Sequence, residues 1–252
     1  MGLNEVSRDY TVMYFNVDQY HDLTISSLIN YYTEIALWHT VSAGFTFAYF
    51  KERNLYWVLY KMQVQVYKYP KIYDNIRIRT WGYNLVKFNA YRKYEMLDEE
   101  GNVISEAEGI WMLLDSVKMR PTKMPDEMFD GYGVERGNKS RLEIDSLIRP
   151  ENIFSKKEFS VNYSDIDINN HATNVKYPDW AMETVPHELR STHMLTGLTV
   201  NYHKELMYND PVVSICQQRQ SNDELIFDHA LIDPVEDKPT ALLKSVWKKK
   251  PF

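Results

Sequence analysis

The chain has 252 residues, 44% of them hydrophobic and 14% aromatic, which is enough to bury the core of one large domain or two ordinary ones. Its formal net charge of −6 argues against general nucleic-acid binding, because a nucleic-acid partner needs a basic face. No apolar run reaches the roughly 18 residues of a membrane helix, and the N-terminal sequence MGLNEVSRDY has no signal-peptide core, so we expect a cytoplasmic protein without membrane insertion.

The first half of the chain is predicted to contain one strand, one long helix and four more strands. Alternation over residues 8–17 predicts the first strand, and the helical spacing of apolar residues over 24–43 predicts the helix. Thr24 is a suitable N-cap for that helix, and Gly44 stands where a C-terminal glycine belongs. Alternating runs predict the remaining strands, at 56–69, 75–83, 88–98 and 103–114.

Proline, glycine and charged residues are frequent over residues 120–155, and this composition predicts a connector that crosses the surface. We therefore divide the chain into an N-terminal unit at 1–135, a connector at 136–156 and a C-terminal unit at 157–252.

The plan of the first half recurs in the second, with a strand at 157–163, a helix near 175–189 and strands at 195–205, 212–220, 224–232 and 241–249. Tyr67 and Tyr202 are predicted to end the first long strand of each half, and similar turns follow them. A strand, a long helix and a four-stranded meander, stated twice, predict an α+β fold in which a curved antiparallel sheet wraps around each helix. The tandem hotdog fold has this layout, and two unrelated α+β domains are the alternative.

The densest polar cluster lies between the first strand and the helix of the second half. Alternation along this stretch places Asp167, Asn169 and His171 on one side, directly before a helix N-terminus. A carboxylate, an amide and an imidazole can activate water and stabilise an oxyanion, as thioester hydrolysis requires. The same residue types also suit a turn and a helix cap, and that interpretation stays open for the cluster taken alone.

The first half does not carry the same polar set. Its matching stretch, VDQYHD at 17–22, has an aspartate but no Asn–His pair in register. Glu205 ends the long strand of the second half, where the first half has Pro70, and a carboxylate there can reach the helix start. If the turn required this pattern for its shape, both halves would contain it. The difference therefore favours chemistry in the second half alone.

The sequence YSDIDINNHATNVKYPDW at 163–180 resembles the signature of the acyl–acyl carrier protein thioesterases of plant plastids and bacteria. The stretch LTVNYHKE at 198–205 is similar to the family's strand with its catalytic acid, and WMLLDSVKMRP at 111–121 is similar to its first domain. Plant members often have a cysteine where Leu206 stands here, so a cysteine nucleophile is not available at this position. Cys216 does not match it, and we predict that Cys216 is a buried apolar residue.

The resemblance implies hydrolysis of fatty acyl–acyl carrier protein in fatty acid biosynthesis, with catalytic residues Asp167, Asn169, His171 and Glu205. Either Glu205 and His171 activate water, or Asp167 attacks directly and forms an anhydride. The acyl carrier protein is the expected partner, and a homodimer is one open oligomeric state. The other histidines show no metal-ligand spacing, so we expect neither a metal nor another cofactor.

By the same resemblance, the acyl chain enters a cavity between the helix and the sheet of the first unit. The implied lining residues are apolar or aromatic: Leu28, Tyr32, Ile35, Trp38, Trp57 and Leu59. Each of them also suits an ordinary core. Candidate contacts for the acidic carrier are basic residues, namely Lys87, Arg92, Lys93, Lys176 and the lysines at 248–250. Rival functions are a hotdog acyl-coenzyme A thioesterase, a dehydratase or hydratase, and a non-catalytic acyl-binding protein.

Overall fold

The computed structural model describes residues 4–138, 140–144 and 146–250. It divides into two compact units, one formed by Met1–Met62 and Val66–Glu143 and the other by Gln63–Gln65 and Ile144–Phe252. Within the described ranges, no helix is both long enough and apolar enough to cross a membrane.

The first unit combines a sheet with one long helix. Its elements are, in chain order, β1 (Glu5–Thr11), α1 (Ile25–Ser42), α2 (Phe47–Arg53), β2 (Leu55–Val66), β3 (Asn75–Val86), β4 (Asn89–Leu97), β5 (Val103–Asp115), β6 (Arg120–Pro121) and α3 (Asp126–Gly131). The strands neighbour one another in the order β1-β3-β4-β5-β2, and β6 pairs with β5. The β1–β3, β3–β4 and β4–β5 pairs are antiparallel.

Helix α1 matches the predicted helix because both its spacing and its ends are encoded locally. The Thr24 side chain accepts a hydrogen bond from the N–H of Ser27, and Gly44 takes a positive φ of 93° just beyond the last turn. Leu28, Tyr32 and Ile35 are fully buried and pack toward the sheet. The helix that the sequence predicts at 24–43 is therefore confirmed.

The strand predicted at 8–17 is too long, since β1 ends at Thr11. The side-chain oxygen of Asn16 accepts the N–H of Met13 at 3.1 Å and closes a short 3₁₀ turn there. This local side-chain hydrogen bond competes with the sheet ladder and ends the strand.

The first part of the predicted surface connector is instead built into the core of the first unit. Met124, Met128 and Tyr132 are buried together with Phe45 and Leu113. Their spacing of four residues places them on one face of α3 and its flanks, a pattern that the surrounding charges obscure in the sequence. Residues 135–138, 140–144 and 146–154 form neither helix nor strand.

The second unit repeats the order of the first. Its elements are β7 (Ser155–Ser160), α4 (Lys176–Met182), α5 (Leu189–Thr192), β8 (His193–Tyr202), β9 (Pro211–Ser221), β10 (Glu224–Asp233) and β11 (Lys238–Lys249). The strands neighbour one another in the order β8-β11-β10-β9-β7, which is the order of the first unit read from the other end. The repeated pattern in the sequence therefore corresponds to two hotdog units in tandem.

The single long helix predicted near 175–189 is wrong, because α4 ends at Met182 and α5 begins only at Leu189. The hydroxyl of Thr184 donates to the carbonyl of Ala181 at 2.7 Å, and the guanidinium of Arg190 donates to the carbonyl of Met182 at 2.6 Å. Side chains thus satisfy the carbonyls that a further helical turn would have used. Pro186 has no N–H with which to continue the helix.

Candidate active site

Asp167, Asn169 and His171 lie on a tight turn between β7 and α4. The backbone N–H of Asp167 donates to the carbonyl of His171 at 2.8 Å, and Asn170 takes a positive φ of 64°. The extended conformation predicted for this stretch is therefore wrong. The reversal of the chain, and not strand alternation, brings the three residues together. The helix begins at Lys176 with Val175 as its N-cap, which agrees with the predicted start near 175.

The carboxylate of Asp167 is occupied by its own turn. Its Oδ1 accepts the backbone N–H groups of Asn169 at 2.8 Å and of His171 at 3.3 Å. Its Oδ2 accepts the side-chain amide of Asn169 at 3.4 Å. Asp167 therefore links the two other residues of the cluster through hydrogen bonds.

His171 and Glu205 face each other, as the sequence predicts. The Nε2 atom of His171 lies 3.4 Å from the Oε2 atom of Glu205, and the two side chains are 23% and 33% exposed. Glu205 lies beyond the end of β8 at Tyr202, so the prediction that it ends the strand is wrong by a short loop. Partial exposure leaves the pair reachable by water and by a substrate, while their roles in catalysis stay predictions.

Hydrogen bonds tie the segment after Asp167 to the segment that carries Glu205. Each of them joins a residue of 172–177 to one of 202–206: Ala172 N to Leu206 O at 2.8 Å, Tyr177 Oη to Lys204 O at 3.0 Å, and Tyr202 Oη to Asn174 O at 3.1 Å. These bonds set the separation of His171 and Glu205. Tyr177 entered the sequence interpretation only as part of the signature NVKYPDW, and Tyr202 only as the predicted end of a strand; neither was predicted to hold the site together.

The Tyr177 phenol stays protonated and can donate its hydrogen bond to the carbonyl of Lys204. Burial raises its pKa, an interaction with the backbone of Leu206 offsets part of that rise, and the charges of Glu205, Asp210 and Asp167 increase it further. The phenol therefore stays protonated and keeps its hydrogen bond to the loop before Glu205.

The first unit contains a turn with the same backbone. The N–H of Asp18 donates to the carbonyl of Asp22 at 2.9 Å, and His21 takes a positive φ of 63°. The Oδ1 atom of Asp18 accepts the N–H groups of Tyr20 at 2.8 Å and of Asp22 at 3.1 Å. Asp18, Tyr20 and Asp22 are thus the structural counterparts of the three residues at 167, 169 and 171. The turn therefore forms without an asparagine at the position of Asn169 and without a histidine at the position of His171.

Matching hydrogen bonds also correct the predicted pairing of the strand ends. The N–H of Leu23 donates to the carbonyl of Pro70 at 3.0 Å, as that of Ala172 does to Leu206. Pro70 therefore corresponds to Leu206, and the counterpart of Glu205 is Tyr69, one residue earlier than predicted. The same comparison pairs Tyr67 with His203 and not with Tyr202, because their N–H groups donate to equivalent carbonyls of β5 and β11.

The residues that the resemblance implies for the acyl pocket separate into three groups. Leu28, Tyr32, Ile35 and Leu59 are core residues with no more than 1% exposure. Trp57 lines a cavity of about 30 Å³ between α1 and the sheet of the first unit, together with Ala36, Thr40, Leu85, Arg92, Trp111 and Tyr132. Trp38 is 40% exposed, so its position does not support an internal lining role.

Two further predictions concern single polar residues. Arg92 is only 7% exposed and donates to His39 Nδ1 at 2.8 Å and to Thr80 Oγ1 at 3.2 Å, so its predicted role as a surface contact is wrong. Cys216 is fully buried, as predicted, and its thiol donates to the carbonyl of Thr184 at 3.5 Å. Burial raises the pKa of this thiol, which disfavours the thiolate that a nucleophile needs.

Two family models match the sequence of this chain. Residues 4–132 match the acyl-ACP thioesterase N-terminal domain, and residues 148–249 match the acyl-ACP thioesterase C-terminal domain. The chain is 28% identical over 218 residues to the chloroplastic oleoyl-acyl carrier protein thioesterase 2 of Arabidopsis thaliana, covering 79% of this chain and 59% of that protein. It is 25% identical over 231 residues to the chloroplastic palmitoyl-acyl carrier protein thioesterase of Gossypium hirsutum, covering 86% of this chain and 56% of that protein. The matched region thus spans less than two thirds of either relative.

Solved structures share the fold over nearly the full length. The 12:0-ACP thioesterase from Umbellularia californica superposes with a TM-score of 0.86 at 21% identity, covering 98% of this chain and 94% of that one. An acyl-ACP thioesterase from Bacteroides thetaiotaomicron superposes with a TM-score of 0.82 at 21% identity, covering 97% and 98%. At this identity the likeness concerns the fold.

Proposed function

The chain belongs to the acyl-ACP thioesterase family, and from that premise we propose that it hydrolyses fatty acyl–acyl carrier protein to a free fatty acid and the free carrier thiol. One observation supports this proposal above the others. Asn169 and His171 lie on a turn whose copy in the first unit has Tyr20 and Asp22 at these positions, and Glu205, 3.4 Å from His171, corresponds there to Tyr69. Both units have the same turn backbone, but only the second has the asparagine, the histidine and the glutamate at these positions. The shape of the turn therefore does not explain why these three side chains are present.

In the proposed reaction, one water molecule is added across the thioester C–S bond. Glu205 and His171 hold the water and remove a proton as its oxygen bonds to the acyl carbon. The C–S bond then breaks, and the proton passes to the leaving thiolate. The side-chain amide of Asn169 is the candidate donor that orients the water or the attacked carbonyl. The 3.4 Å separation is long for a catalytic hydrogen bond, and such contacts tighten when substrate binds.

The surroundings of the pair favour a protein-borne substrate over a small coenzyme. Exposed apolar side chains border it: Ile168 is 79% exposed on the turn, and Met207 and Tyr208 are 46% and 56% exposed just after Glu205. Exposed apolar side chains grouped beside a reactive site are typical of a surface that contacts another protein. We infer that the acyl carrier protein docks here and that coenzyme A thioesters are poorer substrates.

The acyl chain is proposed to occupy the cavity of the first unit. That cavity measures about 30 Å³, whereas pockets that bind small molecules span roughly 300–1,000 Å³. Side chains at its wall must therefore move apart when the chain enters. Trp57 is the bulkiest lining residue on β2, so its volume limits how far the chain extends.

A panel of thioesters tests the function directly. The protein is incubated with acyl–acyl carrier proteins and acyl-coenzyme A esters of medium and long chain, saturated, hydroxylated and 2-enoyl. Free thiol, free acid and water addition are followed separately. Thiol and acid released in equal amounts, faster from the carrier protein, support the proposal. Water addition without thiol release indicates a hydratase, and binding without turnover indicates an acyl-binding protein.

A further inference from the structure

Asp167 accepts the same two backbone hydrogen bonds as Asp18 of the first unit, whose turn has Tyr20 and Asp22 at the positions of Asn169 and His171. In the second unit Asp167 Oδ1 accepts two backbone N–H groups at 2.8 and 3.3 Å, and in the first unit Asp18 Oδ1 accepts the equivalent two at 2.8 and 3.1 Å. The backbone bonds that close each turn are likewise equivalent, with 2.8 Å in the second unit and 2.9 Å in the first. An aspartate therefore occupies this position whether or not histidine, asparagine and glutamate accompany it.

From this repetition, and resting on the proposed function, we propose that Asp167 is a positioning residue that fixes the backbone of His171, and that it does not attack the thioester. A nucleophilic carboxylate needs an oxygen free to approach the acyl carbon. Oδ1 of Asp167 already accepts two hydrogen bonds, and Oδ2 accepts the amide of Asn169 at 3.4 Å. These bonds reduce the nucleophilicity of both oxygens.

The connection from Asp167 to His171 is direct on both sides of the histidine backbone. The N–H of His171 donates to the Asp167 carboxylate, and the carbonyl of His171 accepts the N–H of Asp167. With both peptide groups of His171 held, its imidazole projects toward Glu205, 3.4 Å away. The role of Asp167 is then to set the His171–Glu205 distance, and displacements of about 1 Å at such a site can cost roughly a hundredfold in rate.

The water route also needs fewer covalent steps. If Asp167 attacked, its oxygen would bond to the acyl carbon, the thiolate would leave, and a mixed anhydride would remain for a second step to split with water. Attack by water bonds the water oxygen to the acyl carbon and sends its proton to the thiolate, without an intermediate on the protein. If water splits the anhydride at its aspartyl carbon, the bridging oxygen leaves with the fatty acid and a solvent oxygen enters Asp167, whereas direct water attack never places a solvent oxygen in the protein.

The deciding variants are Asp167→Asn and Asp167→Ala, with Asp18→Asn and Asp18→Ala as matched controls. Asparagine keeps an oxygen that can accept both backbone N–H groups, and alanine does not. We expect Asp167→Asn to keep kcat within about tenfold with an unchanged pH profile of kcat/KM, and Asp167→Ala to lose about a hundredfold in kcat with little change in KM. The Asp18 variants should leave kcat unchanged. An asparagine variant as inactive as the alanine variant overturns the proposal.

Isotope labelling provides a second, independent readout. Multiple turnovers by the unmodified protein in H₂¹⁸O, followed by digestion and mass spectrometry, should leave the peptide containing Asp167 unlabelled. Incorporation of ¹⁸O into Asp167 demonstrates the anhydride and overturns the proposal.

A structural measurement keeps this inference separate from the proposed function. The amide protons of Asn169 and His171 should exchange with solvent more slowly in the unmodified protein and in Asp167→Asn than in Asp167→Ala, and those of Tyr20 and Asp22 should respond in the same way to the Asp18 variants. If the unmodified protein hydrolyses no thioester, the proposed function fails, and equal exchange in all variants then independently refutes the positioning role.

Discussion

At the scale of single residues, the candidate site is a small set of side chains added to a common turn. His171 is the member whose removal is easiest to interpret, because its ring makes one close polar contact, with Glu205 at 3.4 Å. Its loss removes an acid–base group while the Asp167 hydrogen bonds to the backbone at residue 171 remain.

His171→Ala should reduce kcat for acyl–acyl carrier protein by about 10²–10⁴-fold, the usual contribution of a general base. Steady-state thiol release measures the loss, and circular dichroism checks the fold. His187→Ala, at an exposed histidine of the same unit, is the matched control and should behave like the unmodified protein. A rate for His171→Ala equal to that of the control removes His171 from the mechanism.

Trp57 and Trp38 provide a matched pair for the acyl pocket. Trp57 lines the cavity of the first unit, whereas Trp38 is 40% exposed on α1. Trp57→Leu should shift the preference toward longer acyl chains because it enlarges the space that the chain can occupy. Trp38→Leu should leave the profile unchanged. Competition between acyl–acyl carrier proteins of different length measures both, and identical profiles for all three proteins contradict the placement of the chain.

At the scale of elements, the site depends on hydrogen bonds that join the start of α4 to the loop after β8. Tyr177 lies in the first turn of α4, and its hydroxyl donates to the carbonyl of Lys204, directly before Glu205. This bond restrains the carboxylate without touching a reacting atom. Removing this hydrogen bond should therefore slow catalysis by changing the distance between Glu205 and His171.

Tyr177→Phe should lower kcat by about tenfold while lowering the free energy of unfolding by only about 1 kcal/mol, the usual net value of one hydrogen bond. Tyr31→Phe is the control, since it removes a hydroxyl that donates to Asn16 at 3.0 Å in the first unit. Both variants should lose similar stability in urea unfolding, but only Tyr177→Phe should lose activity. Equal activity in the two contradicts the restraint.

Elements whose caps and apolar spacing are visible in the nearby sequence were predictable. Elements that end because a side chain bonds to a backbone carbonyl were not. Helix α1 carries its own cap at Thr24, its own stop at Gly44 and a continuous apolar face, so the sequence sufficed. The helix of the second unit was predicted too long because Arg190 reaches back to the carbonyl of Met182, a contact that spacing does not reveal.

The same distinction applies to the site. The residue types at 167, 169, 171 and 205 and their proximity followed from the motif and the resemblance. The conformation of the turn did not, because alternation assumes an extended chain and Asn170 has a positive φ of 64°. The off-by-one pairing of Glu205 with Pro70 arose because the two sequences echo each other only weakly. Hydrogen bonds in the structure supplied the register.

At the scale of the whole molecule, the second unit encloses a histidine that must remain neutral. His229 is fully buried, and its ring nitrogens lie 3.3 Å from Thr184 Oγ1 and 2.9 Å from Ser245 Oγ. Burial lowers its pKa from 6.5 to about 3. Because the folded state holds the neutral ring, acid favours the unfolded chain, which binds a proton near its ordinary pKa.

This histidine should make the protein less stable as the pH falls below 6.5. Its contribution is fully present above that value and should fall by about 1.4 kcal/mol between about pH 7.5 and about pH 5.5. Urea unfolding at the two pH values measures the change. His229→Gln keeps a polar group without a titrating ring and should flatten this part of the dependence. An equally steep dependence in His229→Gln assigns the effect to other groups.

The recurrence of one turn in both units has a consequence for how such a protein changes over generations. The loop of backbone hydrogen bonds anchored by an aspartate is present in both units. The side chains proposed to react in the second unit are replaced in the first by Tyr20, Asp22 and Tyr69. A duplicated unit can thus lose its reactive side chains and still keep the turn that held them. The turn of the first unit is therefore a suitable place to introduce reactive side chains by mutation.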